Sequence, residues 1–439
     1  MVLGAVSAVQ PIAVVALLVG GAYFAIAFGN VPLAIILWMP AVFVEGIPAG
    51  NLAAKAGGLV LLIAWLPAAL ARTDARPSWY TPVVRRTAEA CLLLVTWLTL
   101  SLLWASDPGA VTGDAWHWIA VALIFALVAS CAPTSALVRA MLLAFVAGAV
   151  ISVVSGGLGG GFNTNDTAAE LASAPDARLG GAIGDPNFLA AGLVPAIAIC
   201  AGLSVVSRSA LLRLGLGVAG LVLTAGVVAS ESRGGAIALL VGVPVAFACF
   251  RGRRAQVSVV ALGVIAAAAV WFSFSPGAWD RVSHFNNGGN GRTDLWTVAW
   301  RIFEDHPIAG VGLDNFASVS KDYVREPGNL THVQLLADQP HVVHNTYLQL
   351  LAEGGIVGLA LFAAFVFLCL RSMWRAGRIF AARGDPAHEA LAQAVLVGTV
   401  TMLVAATFIS AGVDKRLWVL LAFGPALEAL ARNAPHKGT

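Results

Sequence analysis

The stretch HNTYLQLLAEGGIVGLALFAAFVFLCLR, His344 to Arg371, decides how the chain folds. After Glu353 it carries no charge until Arg371, and its apolar residues run on continuously instead of alternating. About 20 such residues cross a bilayer as a helix. In hydrocarbon only helices and closed barrels satisfy their own backbone, and barrel strands would alternate. The pattern recurs along the chain: hydrophobic residues make up 59% of 439 and charged residues 11%, with a mean hydropathy of +0.84. Soluble domains carry roughly a quarter charged residues, so this chain could not cover itself in water. The expected fold class is an all-α polytopic membrane protein.

Working outward, comparable runs fall at 53–72, 86–105, 115–131, 135–156, 185–206, 209–229, 233–250, 254–274, 345–371, 388–410 and 413–431. Residues 10–46 break at Gly29-Asn30-Val31-Pro32, which fits two short helices or one crossing plus a re-entrant piece. One crossing there gives about 12 transmembrane helices in a single integral membrane domain. The opening residues lack a basic region and a small-residue cleavage site, so the first apolar segment is expected to stay. All five cysteines lie in or at the ends of apolar runs, which indicates no disulfide framework.

Alternate loops separate by charge. One set holds Arg72, Arg76, Arg85 and Arg86, then Arg139, Arg208 and Arg213, then Arg251, Arg253 and Arg254, then Arg371, Arg375, Arg378 and Arg383. The other is acidic or mixed, with Asp107, Asp114, Asp166, Glu170, Asp176 and Glu231. Lys and Arg bias predicts a cytoplasmic basic set and a cytoplasmic C-terminus. Asp414-Lys415-Arg416 is the awkward spot, a small positive excess on the outer side.

Two outer loops stand out. The first, 157–184, is glycine-rich and then polar. The second, 275–344, is a polar island with five of the eight histidines, opening with Asp280, Arg281 and Gly291-Arg292 and closing on His341-Val-Val-His344. Its stretches 294–303 and 312–325 have helical spacing and are expected as short surface helices. The island reads as a lid over a membrane cleft.

Charges at membrane depth or at helix mouths are costly and so informative. Arg178 precedes the Asp185-Pro186-Asn187 turn, Arg233 follows Ser230-Glu231-Ser232 with Gly234 and Gly235 behind it, and Arg292 opens the island's first helix. Guanidinium groups grip phosphate oxygens in pairs, and helix N-termini favour anions. A lone arginine of this kind more often snorkels or pairs with a neighbour such as Glu231. Three on one face favour a phosphate-bearing lipid ligand. His344, in the first turn of its span, is the candidate for proton transfer, because a helix N-terminus keeps imidazole neutral. An interfacial capping histidine is an equal alternative. His341-x-x-His344 is half a metal site with no second pair and no Asp-x-Asp, so no metal is expected. His306 suits a turn, while His284 and His332 have no distinguishing context. Trp116, Trp118 and Trp296 read as interfacial anchors. With no nucleophile elbow, phosphate-binding loop or dinucleotide fingerprint in context, no cofactor and no nucleic-acid partner is expected.

Five blocks in order resemble the bacterial O-antigen ligase and polymerase superfamily. They are Arg178-x-Gly-Gly-x-x-Gly-Asp-Pro-Asn187, Ser232-Arg233-Gly-Gly, Gly291-Arg292 with Trp296, Asp305-His-Pro-x-x-Gly-Val-Gly-x-x-Asn315-Phe, and His344-Asn345-x-Tyr-Leu-Gln-x-x-x-Glu353-x-Gly. The single large outer loop resembles the ligase branch most. The resemblance implies a metal-independent, inverting glycosyltransferase of the bacterial inner membrane with a periplasmic site. Its donor would be O-antigen on undecaprenyl diphosphate, and its acceptor a sugar hydroxyl of lipid A–core. It further implies Arg233, Arg292 and Arg178 on the diphosphate, His344 as general base, and Asn187, Asn345 and Glu353 in support. An O-antigen polymerase or a protein O-oligosaccharyltransferase would share these motifs. A transporter of a lipid-linked anion would instead show midplane charge pairs and related halves, and the sequence has no repeat.

Overall fold

The computed structural model describes residues 11–70, 81–132, 134–158, 162–163, 178–274, 291–325, 330 and 341–433. The rest of the loops 157–184 and 275–344, with Asp280, Arg281, His284 and His332, lies outside the described residues. In chain order the first helices are α1 (Pro11–Gly29), α2 (Val31–Trp38), α3 (Pro48–Leu70), α4 (Pro82–Leu100), α5 (Pro108–Ser130) and α6 (Ser135–Leu158). Then follow α7 (Pro186–Val206), α8 (Ala210–Ala229), α9 (Arg233–Cys249) and α10 (Arg254–Phe274). The short α11 (Arg292–Asp305) and α12 (Phe316–Val324) precede α13 (Thr346–Ala382), α14 (Pro386–Ala405) and α15 (Lys415–Asn433). A two-residue ribbon pairs β1 (Phe162–Asn163) with β2 (Arg178–Leu179).

Among the described residues, nine helices are long and apolar enough to cross a membrane, and three shorter apolar helices lie in α1, in α2 with its 3₁₀ extension to Phe43, and in α9. The run expected at 413–431 is α15, which carries Lys415, Arg416, Glu428 and Arg432. Asp-Pro pairs start α5, α7 and α14: the carboxylate of Asp107, Asp185 or Asp385 accepts from backbone N–H groups of the first turn, and proline occupies the first helical position. Residues 11–43 form two helices folded back on each other. The Tyr23 hydroxyl donates to the Ala34 carbonyl at 3.4 Å, whereas a straight helix would hold those residues ~16 Å apart.

The centre of the bundle is α15, with Leu417–Phe423 fully buried. It packs on α13 and α5, while α14 lies against α7, α9 and α13. The awkward positive charge resolves here. Lys415 donates to Glu45 at 2.7 Å. Arg416, 3% exposed, is ion-paired with Asp414 and donates to the Phe188 carbonyl at 3.0 Å. Both cations are neutralised inside the protein, so neither acts as an orientation signal.

The expected span 345–371 is a broken helix. Gly355 has φ 65° and ψ −169°, a region that glycine alone enters. The chain after α11 fills the break. Val311 and Gly312 donate to the carbonyls of Ala352 and Glu353 at 3.0 and 2.9 Å, and Ile356 donates to the Pro307 carbonyl at 2.9 Å. The Trp97 indole donates to the Gly354 carbonyl at 2.9 Å. Backbone freed at membrane depth is thus satisfied by protein. Fully buried Asn315 clasps the same loop to the start of α5, accepting from Ser106 and the Asp107 N–H and donating to the carbonyls of Asp107 and Leu313. The helix expected from 312 therefore begins at Phe316, after Gly310 and Gly312 turn with positive φ.

Candidate active site

Arg178 reaches the site from β2 and is 5% exposed. Its Nε donates to the Ser230 carbonyl at 2.9 Å and its Nη2 to Asn187 Oδ1 at 3.3 Å. Asn187 Oδ1 also accepts from the Ser232 hydroxyl at 2.9 Å. Ser232 in turn caps α9 through the Gly235 N–H. Glu231, at φ 50°, turns the chain sharply into this helix start. Arg233 is the first residue of α9 and is half-buried. Behind it the backbone needs glycine. A Cβ on Gly234 would stand 2.8 Å from Phe408, and one on Gly235 2.7 Å from Ala190.

Phe408, just beyond α14, links this helix start to the next. Its carbonyl accepts from Arg292 Nη1 at 3.3 Å, and Arg292 is the first residue of α11, after Gly291 at φ 81°. Arg233 and Arg292 therefore open two helices that meet at Phe408. The ring of Trp296 lies 6.4 Å from that of Phe408. The indole N–H of Trp296 and the Ser410 hydroxyl are buried without a hydrogen-bond partner among the described residues.

His344 does not sit in the first turn of α13, as the sequence suggested. Asn345 caps that helix, its Oδ1 accepting from the Tyr347 and Leu348 N–H groups at 3.0 and 3.1 Å. His344 stands just before the cap at φ 52°, uncommon for any residue but glycine. Thr346 pins the segment beside Phe408, donating to the Ile409 carbonyl at 2.7 Å and accepting from the Ala411 N–H at 2.8 Å.

The half-buried imidazole is pushed down from 6.5 to about 4. Burial is the first cause, and the positive charge of Arg292 the second; Asp185 opposes and His341 adds to the lowering. His344 is therefore neutral at physiological pH, with neither ring nitrogen hydrogen-bonded among the described residues. Asn187 is hydrogen-bonded to Asp185, Arg178 and Ser232, the start of α9 that Arg233 opens lies against Phe408 through Gly234, Phe408 accepts from Arg292, and His344 couples electrostatically to Arg292 and Asp185, so these elements form a ring.

Not every expected residue faces this ring. The Asn345 side chain is occupied by its helix cap. Glu353, 3% exposed, lies at the break in α13, about 12 Å along the helix from Asn345, and accepts from the Gln349 amide at 3.3 Å. His341 couples to His344, and among the described residues no group of three or more His, Cys, Asp or Glu forms a metal-sized cluster. The Phe408 carbonyl had no signal in the sequence, because a main-chain acceptor inside an apolar run looks like any other. Asp185 stood in plain view inside Gly-Asp-Pro-Asn, where its capping role hid its charge.

The fold and this cluster define a multi-helix membrane protein with three arginines and a histidine gathered at neighbouring element starts. Residues 218–363, about a third of the chain, match the family model described as O-antigen ligase. The matched region includes Arg233, Arg292, His344 and the break in α13. A search of the curated proteins found no match.

Proposed function

We propose that this protein is a glycosyltransferase of the ligase type, moving O-antigen from undecaprenyl diphosphate to a sugar hydroxyl of lipid A–core on the periplasmic face of the inner membrane. The observation that carries the reading is a neutral imidazole electrostatically coupled to Arg292, with Arg233 on the adjoining helix start and Arg178 reaching in from β2. In this reading His344 takes the acceptor hydroxyl proton as the oxygen attacks the anomeric carbon. The bond from that carbon to the diphosphate oxygen breaks, and the developing negative charge meets Arg233, Arg292 and Arg178, held in advance by backbone carbonyls and helix starts. Asn187 supports the site by orienting Arg178. Two lipid-anchored substrates in one cleft supply proximity.

The same arrangement couples donor binding to base strength. Arg292 helps hold His344 near pKa 4. A bound diphosphate neutralises Arg292 and brings a negative charge near the ring, which raises the imidazole toward the operating pH, where a general base works best.

The test is reconstitution of purified protein with lipid-linked donor and lipid A–core and no energy source. Product is expected from the native chain, and none from His344→Ala, which should still bind donor. Normal transfer by His344→Ala removes the base assignment, and no product from the native chain refutes the enzyme reading. In cells, loss of the gene should leave core without O-antigen while polymer still accumulates on the lipid carrier. Core bearing one repeat would mean a polymerase, and intact lipopolysaccharide with unglycosylated protein a protein transferase.

A further inference from the structure

On the opposite side of the bundle from His344, helices α7, α8, α9, α10 and α14 enclose a cavity of about 440 Å³. Its walls are apolar, including Val194, Ala201, Ala246 and Val260, and it reaches Arg213 and Arg253 at the turns that join α7 to α8 and α9 to α10. Along α9 the lining runs from Leu239 to Phe250, about 16 Å of helix. The cavity exists because α10 stands off from the bundle: no residue in the most apolar window of Arg251–Val270 is buried.

Charge at the mouth is mostly positive. Arg208, Arg213, Arg251, Arg253 and Arg254 all lie at these two turns, five cations against Asp385 and Glu389 at the start of α14 beside Arg253, while Glu231 is at the other end of its helix pair. Arg253 donates to the Pro386 carbonyl at 2.9 Å, which leaves most of its guanidinium donors for a ligand. No carboxylate pairs with Arg213 or Arg253 among the described residues.

We propose that this cavity binds an anionic phospholipid, with one acyl chain between α7, α9 and α10 and the head-group phosphate on Arg213 and Arg253. At about 30 Å³ per water-sized group, the volume holds roughly fifteen such groups, the bulk of an acyl chain. Basic pockets between transmembrane helices select anionic head groups from the basic face of the membrane. A prenyl tail would fill the same walls and leave the two arginines unused. The proposal does not rest on the glycosyl-transfer reading, since the site lies on other residues at the other end of the bundle.

Native mass spectrometry of the full chain from mixed phosphatidylglycerol and phosphatidylethanolamine tests it. The native chain is expected to retain one phosphatidylglycerol with about tenfold preference or more. The double variant Arg213→Gln/Arg253→Gln should bring the two lipids near parity. Val260→Trp, placed on the unpacked α10 where Val260 is 42% exposed, should lose both lipids with an unchanged melting temperature. Equal retention by the native chain, or an unaltered preference in the arginine variant, overturns the proposal. Displacement of the retained lipid by undecaprenol, which has the prenyl chain and no phosphate, assigns the cavity to a prenyl tail and overturns it too.

Discussion

Replacing Arg292 with glutamine should move the acid limb of the transfer reaction, by an amount bounded by the structure. His344 falls from 6.5 to about 4, with Arg292 second to burial among the causes. Loss of that positive charge raises the imidazole, so the variant's pKa should lie between these two values. Protonation inactivates a general base, so activity is lost as pH falls through the folded pKa. At pH 5.5 a group of pKa 4 is roughly 97% neutral and one of pKa 6.5 roughly 9%, a tenfold span in active base. The assay is initial transfer rate against pH in detergent or nanodiscs, each enzyme normalised to its own plateau. Because kcat/KM reports the free enzyme and kcat the donor complex, native kcat/KM should fall only near pH 4, while the kcat limb should sit higher. In Arg292→Gln the kcat/KM limb should shift upward. Asp185→Asn, which keeps the helix cap, should shift it the other way because Asp185 raises the imidazole. A native kcat/KM limb at or above 6.5, or one unmoved in Arg292→Gln, would refute the electrostatic argument.

Three further outcomes are expected. Arg233→Lys should lower kcat about tenfold or more, since an ammonium point charge cannot reproduce a guanidinium fork on a diphosphate; full activity would exclude direct contact. Trp296→Phe keeps the ring against Phe408 but deletes a buried N–H that has no partner among the described residues, so the melting temperature should hold or rise, since such a group costs about 1–3 kcal/mol. If the indole serves substrate, transfer falls in the same variant, and unchanged kinetics would make it purely structural. Gly355→Ala should cost about 1–3 kcal/mol from its backbone conformation alone, and more because its Cβ would lie 2.2 Å from the Ile308 carbonyl oxygen; an unchanged melting temperature would mean that the break is not required.

Much of the fold was legible because the bilayer enforces length and apolarity, properties that a window of sequence contains. The helix starts were legible for a related reason: Asp-Pro, Ser-Arg-Gly-Gly and His-Asn-Thr announce caps through local chemistry. What escaped depends on partners remote in sequence. Glu353-Gly-Gly355 reads as a polar dent in one apolar run, and only the segment 307–312 makes it a break. Arg416 reads as a stray cation until Asp414 and the Phe188 carbonyl surround it. His344 was read as part of the helix because its neighbour Asn345 is the better cap, a competition between adjacent polar residues that spacing does not decide.

That break also changes how the polar island works. Arg292 and His344 sit at opposite ends of the island, yet both are fastened to α13. The helix that Arg292 begins runs into residues 307–312, which hydrogen-bond to residues 352–357 of α13, and His344 lies just before the cap of that same helix. The Asp-His-Pro-x-x-Gly-Val-Gly and His-Asn…Glu-x-Gly blocks, apparently separate motifs, are therefore two halves of one joint that sets the distance from arginine to imidazole. It follows that Gly355→Ala, far from any reacting atom, should lower kcat with little effect on donor affinity for the other arginines. A variant that lost only stability, with kcat intact in the folded fraction, would show that the joint holds the fold and leaves the site to its own contacts.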